Sequence, residues 1–104
     1  MNDQPFDRES LSSYEPLASL LHERGFDAVA DDGGHLNYGV RIGLKNPVLQ
    51  EVFVACSEER WGFDITGRDG YLAGGETLEA SADTQLSQVA DELERVLLGL
   101  NAVD

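Results

Sequence analysis

The chain is poor in cysteine, in positive charge and in long apolar runs. Its single cysteine, Cys56, excludes an internal disulfide and a Cys-cluster zinc site. No apolar run approaches the ~20 residues that a helix needs to span a bilayer, so no membrane association is expected. The first ten residues are polar and acidic rather than basic and then apolar. That start shows no signal peptide and makes the cytoplasm the expected compartment. Only 7 Lys and Arg stand against 20 Asp and Glu, for a net charge of −13. A field of this sign repels phosphate backbones and anionic lipid, so direct nucleic-acid binding is not expected, whereas a basic protein partner is.

Catalytic patterns are equally sparse. The chain has no Gly-x-Ser-x-Gly elbow and no glycine loop followed by Lys-Ser or Lys-Thr to cradle a phosphate. Its two histidines, His22 and His35, lie apart in sequence. Cys56 falls in an apolar row, where a free cysteine acts as a small hydrophobe. The turn Asp31, Asp32, Gly33, Gly34, His35 gathers oxygen and imidazole groups, but it lacks the alternating ligands and distal glutamate of a helix-loop-helix calcium site. It reads as an acidic hairpin turn, and Glu58-Glu59 reads as another solvated turn. No two carboxylates are placed as an acid/base pair. The expectation is a protein that is not an enzyme, with no cofactor and no metal site.

What is present is enough for one folded domain: 104 residues, of which 41% are hydrophobic and 26% charged. Residues 1–12 read as a disordered or frayed lead-in, 13–100 as a single domain and 101–104 as a tail. A first helix is expected over 14–24, with Tyr14, Leu17, Leu20 and Leu21 on one stripe, Ser12 or Ser13 as cap, Pro16 in the first turn and Gly25 as stop. Residues 26–31 form a weak strand. Leu36, Tyr38, Val40, Ile42 and Leu44 then alternate with polar or glycine positions, the cleanest period-two pattern in the chain. Val48, Val52, Val54 and Cys56 make a further apolar row, and Trp61, Phe63 and Ile65 another. A fifth strand around 71–73, resuming near 77–78, is interrupted by Gly74-Gly75. The last helix carries Leu86, Val89, Ala90, Leu93, Val96, Leu97 and Leu100 at steps of three and four, with Ser81 or Asp83 as cap and Gly99 as terminator. Short connections make the sheet an antiparallel meander. The expected fold is α+β, a two-layer sandwich whose sheet of four to five strands carries the N-terminal and C-terminal helices on one face. Trp61, Phe63, Tyr38, Val54 and Leu93 are expected to share its core.

The opposite sheet face then holds Asn37, Gly39, Arg41 and Gly43, then Leu49, Glu51, Phe53 and Ala55, then Arg60, Gly62, Asp64 and Thr66. Mid-strand glycines leave shallow hollows where a ligand or another backbone comes close. Leu49 and Phe53 beside them form a small apolar patch, with Arg41 as a polar neighbour. A homodimer through this face or through an open edge strand is one expectation, and an aromatic lying flat over the glycines is the other.

The charge is unevenly spread. Residues 1–35 sum to −6, 36–68 to zero and 69–104 to −7. Glu76, Glu79 and Asp83 precede the last helix, and Asp91, Glu92 and Glu94 lie outside its apolar stripe, with Arg95 as the only basic residue of that segment. These six acids, together with Phe53, Leu49 and Arg41, are the candidate partner-binding residues.

Four short pieces carry a resemblance: His22-Glu23-Arg24-Gly25-Phe26, Val52-Phe53-Val54, Trp61-Gly62-Phe63, and the stretch from Val89 to Leu98. In this order, across residues 12–99, the chain resembles a class of small actinobacterial proteins of unknown function. Those often carry two tryptophans in the aromatic strand, where this chain has Trp61 alone. The resemblance implies an α+β fold and no particular activity or site residues. A looser likeness joins the chain to acidic secretion chaperones, but it has no room for their central helix.

Three functions are compatible with these features. The foremost is a non-catalytic acidic protein-interaction module, acting as an adaptor, small chaperone or inhibitor of a more basic partner. An acidic nucleic-acid mimic that blocks a basic groove is the second. The third is a small-molecule or metal binder at the sheet face or at the turn from Asp31 to His35.

Overall fold

The computed structural model describes residues 10–32, 38–57 and 59–101. After a short 3₁₀ turn, Leu11–Tyr14, come α1 (Glu15–Glu23), β1 (Asp27–Asp31), β2 (Gly39–Gly43), β3 (Leu49–Ser57), β4 (Arg60–Gly67), β5 (Leu72–Ser81) and α2 (Leu86–Asn101). The strands pair antiparallel in sequence order, β1-β2-β3-β4-β5. The meander follows from short connections between consecutive strands. Both helices bring apolar stripes to one face of the sheet, and that layer holds a single core. The expected α+β sandwich is the observed one.

Pro16 stands in the first turn of α1 and Gly25 closes it with φ 96°, a conformation that favours a residue without Cβ. The cap expected of Ser12 or Ser13 is not made. The 3₁₀ turn absorbs both serines, and Tyr14 becomes the residue before α1 with its side chain in the core. Nor does Ser81 or Asp83 cap α2. Ser81 is the last residue of β5, its N–H donates to the Thr84 hydroxyl, and α2 starts only after Gln85, whose carbonyl accepts the Gln88 and Val89 N–H groups. Gly99 does not end α2, which continues to Asn101.

Trp61, Tyr14, Leu17, Leu21, Val54, Leu93 and Leu97 are wholly buried, and Tyr14 meets the Trp61 ring edge-on at 5.8 Å between centroids. Each such side chain stabilises the fold by about 1.5–3 kcal/mol relative to exposure. Phe63 is buried with them, but Tyr38, expected in the same cluster, is only half-buried, because it precedes β2 rather than lying in it. Leu36 and Asn37 of the expected strand lie outside the described residues, as do Gly33, Gly34, His35, Glu58 and residues 1–9.

Three register shifts interrupt the ladders. One, between the pairs Gly62 with Thr77 and Arg60 with Ser81, puts two extra residues on β5 and so leaves its faces unchanged, while the other two exchange faces. Pairing passes from Leu49 with Gly67 to Glu51 with Thr66, which leaves Gln50 as an extra residue. An extra residue reverses the faces of everything before it. Leu49 therefore packs against the core, and Val48, expected inside, is 67% exposed. On β5 the pairing passes from Leu72 with Thr66 to Gly74 with Ile65, so Ala73 bulges and the strand runs straight through Gly74-Gly75 instead of being interrupted there.

One buried polar residue ties the sheet to the end of α2. Asn46 donates its amide to the Leu100 carbonyl at 2.7 Å and accepts the Val48 and Leu49 N–H groups at 2.7 and 2.9 Å. Asn101 answers by accepting the Lys45 N–H at 2.7 Å. Orphan carbonyls at the helix end and orphan amides in the turn thus satisfy one another.

Candidate functional site

On the outer face of the sheet, Arg41 of β2 lies between Asp31 of β1 and Glu51 of β3, hydrogen-bonding to both carboxylates. Its guanidinium carbon also stands 5.9 Å from the centre of the Phe53 ring. The hydrogen bond to Asp31, followed by the charge of Glu51, raises the Arg41 pKa above its ordinary value. Cross-strand placement makes the cluster: Val29 pairs with Arg41 and Arg41 with Phe53, so the three strands bring these side chains to one face.

The glycines of this face are not hollow. A Cβ on Gly39 would collide first with the Val54 carbonyl oxygen and then, at 2.8 Å, with Cζ of the Phe53 ring, which lies beside that glycine. At Gly43 the space is taken by the Asp27 carboxylate, 3.0 Å from where a Cβ would stand, and at Gly62 by the Glu76 carbonyl at 3.2 Å. Leu49 has turned to the core, so it does not join Phe53 in an apolar patch. Around Arg41 the face carries a polar network beside the Phe53 ring, and the space at its glycines is taken by neighbouring groups.

The acids of α2 are also partnered, contrary to the expectation that Arg95 alone could offset them. Arg24, at the end of α1, reaches Asp91 at 2.7 Å and Glu94 at 2.9 Å. The Asp91 hydrogen bond is the main reason its pKa lies above the ordinary value. Glu92 accepts the backbone N–H of Glu79 at 2.9 Å. All three acids outside the apolar stripe therefore have partners elsewhere in the fold. Sequence reading missed this because the partners are distant: Arg24 is 67 positions from Asp91.

Glu76, Glu79 and Asp83 differ. All three are exposed, and none forms an ion pair among the described residues. Glu76 pairs with Phe63 and so shares the helix side of the sheet with Leu78 and Ala80, while Thr77 and Glu79 take the outer side. Asp64 of β4 adds a fourth exposed carboxylate. It pairs with Gly75, and its Oδ1 would stand 2.7 Å from a Cβ on that glycine. The carboxylate leans across Gly75 towards the sheet edge, into space that any side chain there would occupy.

The turn into β5 and the first residue of that strand are exposed and apolar, a surface that the sequence did not single out. Tyr71 is 75% exposed and Leu72 71%. Tyr71 gives its carbonyl to the Gly67 N–H, and Val48 gives its own to Arg68, both at 2.9 Å. These hydrogen bonds gather Val48, Tyr71 and Leu72 at one end of the sheet. The signal available beforehand was the pairing of two apolar residues with a glycine turn and no continuing period.

Other expected chemistry finds less. Cys56 is buried in the core layer, and His22 is exposed on α1. Of the acidic turn, Asp31 is held by Arg41, and Gly33, Gly34 and His35 are outside the described residues. Among the described residues no group of three His, Cys, Asp or Glu is placed to hold a metal ion. No described helix is long and apolar enough to cross a membrane. Comparison with protein-family models, curated proteins and solved structures finds no match to this chain.

Proposed function

We propose that this chain is a non-catalytic acidic interaction module that binds a more basic protein partner as an adaptor, small chaperone or inhibitor. The observation that carries the reading is that Glu76, Glu79 and Asp83, on β5 and the turn after it, are exposed and form no ion pair among the described residues. Uncompensated like charges on a compact surface repel, and a cationic surface relieves that repulsion on binding. The same field steers a basic partner in and speeds its association at low salt. Asp91, Glu92 and Glu94 already have partners in Arg24 and the Glu79 N–H, so the reading rests on the other three acids.

Zero-length carbodiimide coupling joins a carboxylate to a lysine amine only where the two touch, which makes it a direct test. In native extract, coupling followed by peptide mass spectrometry is expected to join Glu76, Glu79 or Asp83 to lysines of one partner. Links spread evenly over the helix acids, such as Glu15 and Glu23, would reduce the acidity to a solubilising role.

A further inference from the structure

Strands β1 and β5 are the two edges of the sheet, and they differ in length and cover. β1 has five residues, begins and ends in aspartate, and packs against α1. Short edges with charged ends are the usual protection against pairing with another chain. β5 is protected over its second half alone, where Leu78 and Ala80 turn into the core and Glu92 of α2 takes the Glu79 N–H. Over residues 72–77 no described element covers it, and past the bulge at Ala73 the strand pairs regularly through Gly74, Gly75, Glu76 and Thr77. Leu72, Ala73, Gly75, Glu76 and Thr77 are exposed and Gly74 is half-buried. On an edge strand, alternate N–H and C=O groups point away from the sheet and lack a ladder partner.

We infer that residues 72–77 of β5 accept an extended cationic segment of the basic partner as a sixth strand. The inference rests on the interaction-module reading and names its surface and mode. Backbone pairing would supply affinity and alternate side chains specificity, as in other strand-addition complexes. The side-chain surroundings fit one chemistry. Asp64 leans over Gly75 on the outer face, Glu79 follows on the same face, and Glu76 stands on the other. The only cation on β4 or β5 is Arg60, which pairs with Ser81, beyond the open stretch. At the other end, Leu72 and Tyr71 offer an exposed apolar anchor. The side-chain-free pair Gly74-Gly75 lets an incoming chain approach closely at the centre. A second copy of this chain fits less well, because it would bring another net charge of −13 to the same edge.

The probe is a capped peptide of about eight residues alternating Lys and Val, against a control of the same sequence N-methylated at every residue. The control keeps the charge and loses every backbone donor. Binding is measured by calorimetry at low salt, and protection of residues 72–77 by amide hydrogen exchange. The expected result is protection confined to this stretch, with the control binding about tenfold weaker. Asp64→Asn should weaken the Lys-Val peptide by about threefold, whereas Asp27→Asn at the far edge should leave it unchanged. Equal binding of both peptides with no protection at 72–77 overturns strand addition while leaving the acidic module standing. Failure of both peptides to bind overturns the two readings together. Protection of β1 instead, or protection of 72–77 in peptide-free protein that sediments as a dimer, also overturns the assignment.

Discussion

Strand β2 places one arginine between two carboxylates, whereas Glu76 and Glu79 of β5 form no ion pair among the described residues. The strands belong to the same sheet and bury residues in the same core, so burial does not separate them. Position does. β2 has a neighbour on each side, and a charge there meets cross-strand partners on both; β5 has a neighbour on one side only. Glycine shows the same division. Gly39 and Gly43 make room for Phe53 and Asp27 of the protein itself, while Gly75 makes room for a carboxylate that leans out to the edge. A net charge therefore says little until it is known which acids the fold has already engaged.

The largest effect tests whether the two regions are one cooperative unit. Leu93 is wholly buried beneath the sheet, and Leu93→Ala should cost about 2–5 kcal/mol in denaturant unfolding. Amides of β2 and β5 should lose protection together; early opening of β5 alone would mean that its edge is a separate, weaker unit. Next in size is Asn46→Ala, which strands two turn amides and the Leu100 carbonyl, for an expected loss of about 1–3 kcal/mol.

Arg41→Leu makes β2 resemble β5 by leaving Asp31 and Glu51 without their cation. Because the Arg41 side chain is 37% exposed, solvent screens its bridges, and about 1 kcal/mol is expected, less in high salt. The raised pKa of Arg41 sets the sign of any pH effect. Its stabilisation is complete below the pKa of an unfolded arginine and fades only as pH climbs through the still higher folded value. Across about pH 5–9 the arginine thus stays charged in both states and adds no slope of its own. The smallest effect belongs to β5: neutralising Glu76, Glu79 and Asp83 to Gln, Gln and Asn should change stability by no more than about 0.5 kcal/mol. A loss comparable with that of Arg41→Leu would show that these acids serve the fold after all.

Much of the architecture could be read from periodicity. The alternation of Val40, Ile42 and Leu44 marked the buried row of β2, and the steps of Val89, Leu93 and Leu97 marked the buried face of α2. These patterns are local, since each residue's burial follows from its own spacing. Bulges were not legible, because one extra residue at Gln50 or Ala73 leaves composition unchanged while exchanging the faces around it. Helix starts failed for a related reason: the serines that could cap α1 and α2 found other structural places in the 3₁₀ turn and at the end of β5. At the candidate site, the sequence named Glu76, Glu79 and Asp83 as partner-binding candidates, and all three are exposed. It also grouped them with Asp91, Glu92 and Glu94, whose partners in α1 and β5 only the folded chain brings near.

The clasp of Arg24 on Asp91 and Glu94 also sets a timetable for synthesis. Its two sides lie 67 positions apart in the chain, a separation that a ribosome covers in about 3–13 s at ordinary elongation rates. Throughout that interval α1 has emerged while the helix it packs against has not, and the leucines of its stripe have only an incomplete sheet to cover them. Contacts between the first and last elements also close the longest loop, the kind of closure that slows folding. The nascent chain thus presents an apolar helix early and completes its core last, so truncation before α2 should yield a product that holdase chaperones retain rather than a smaller folded domain.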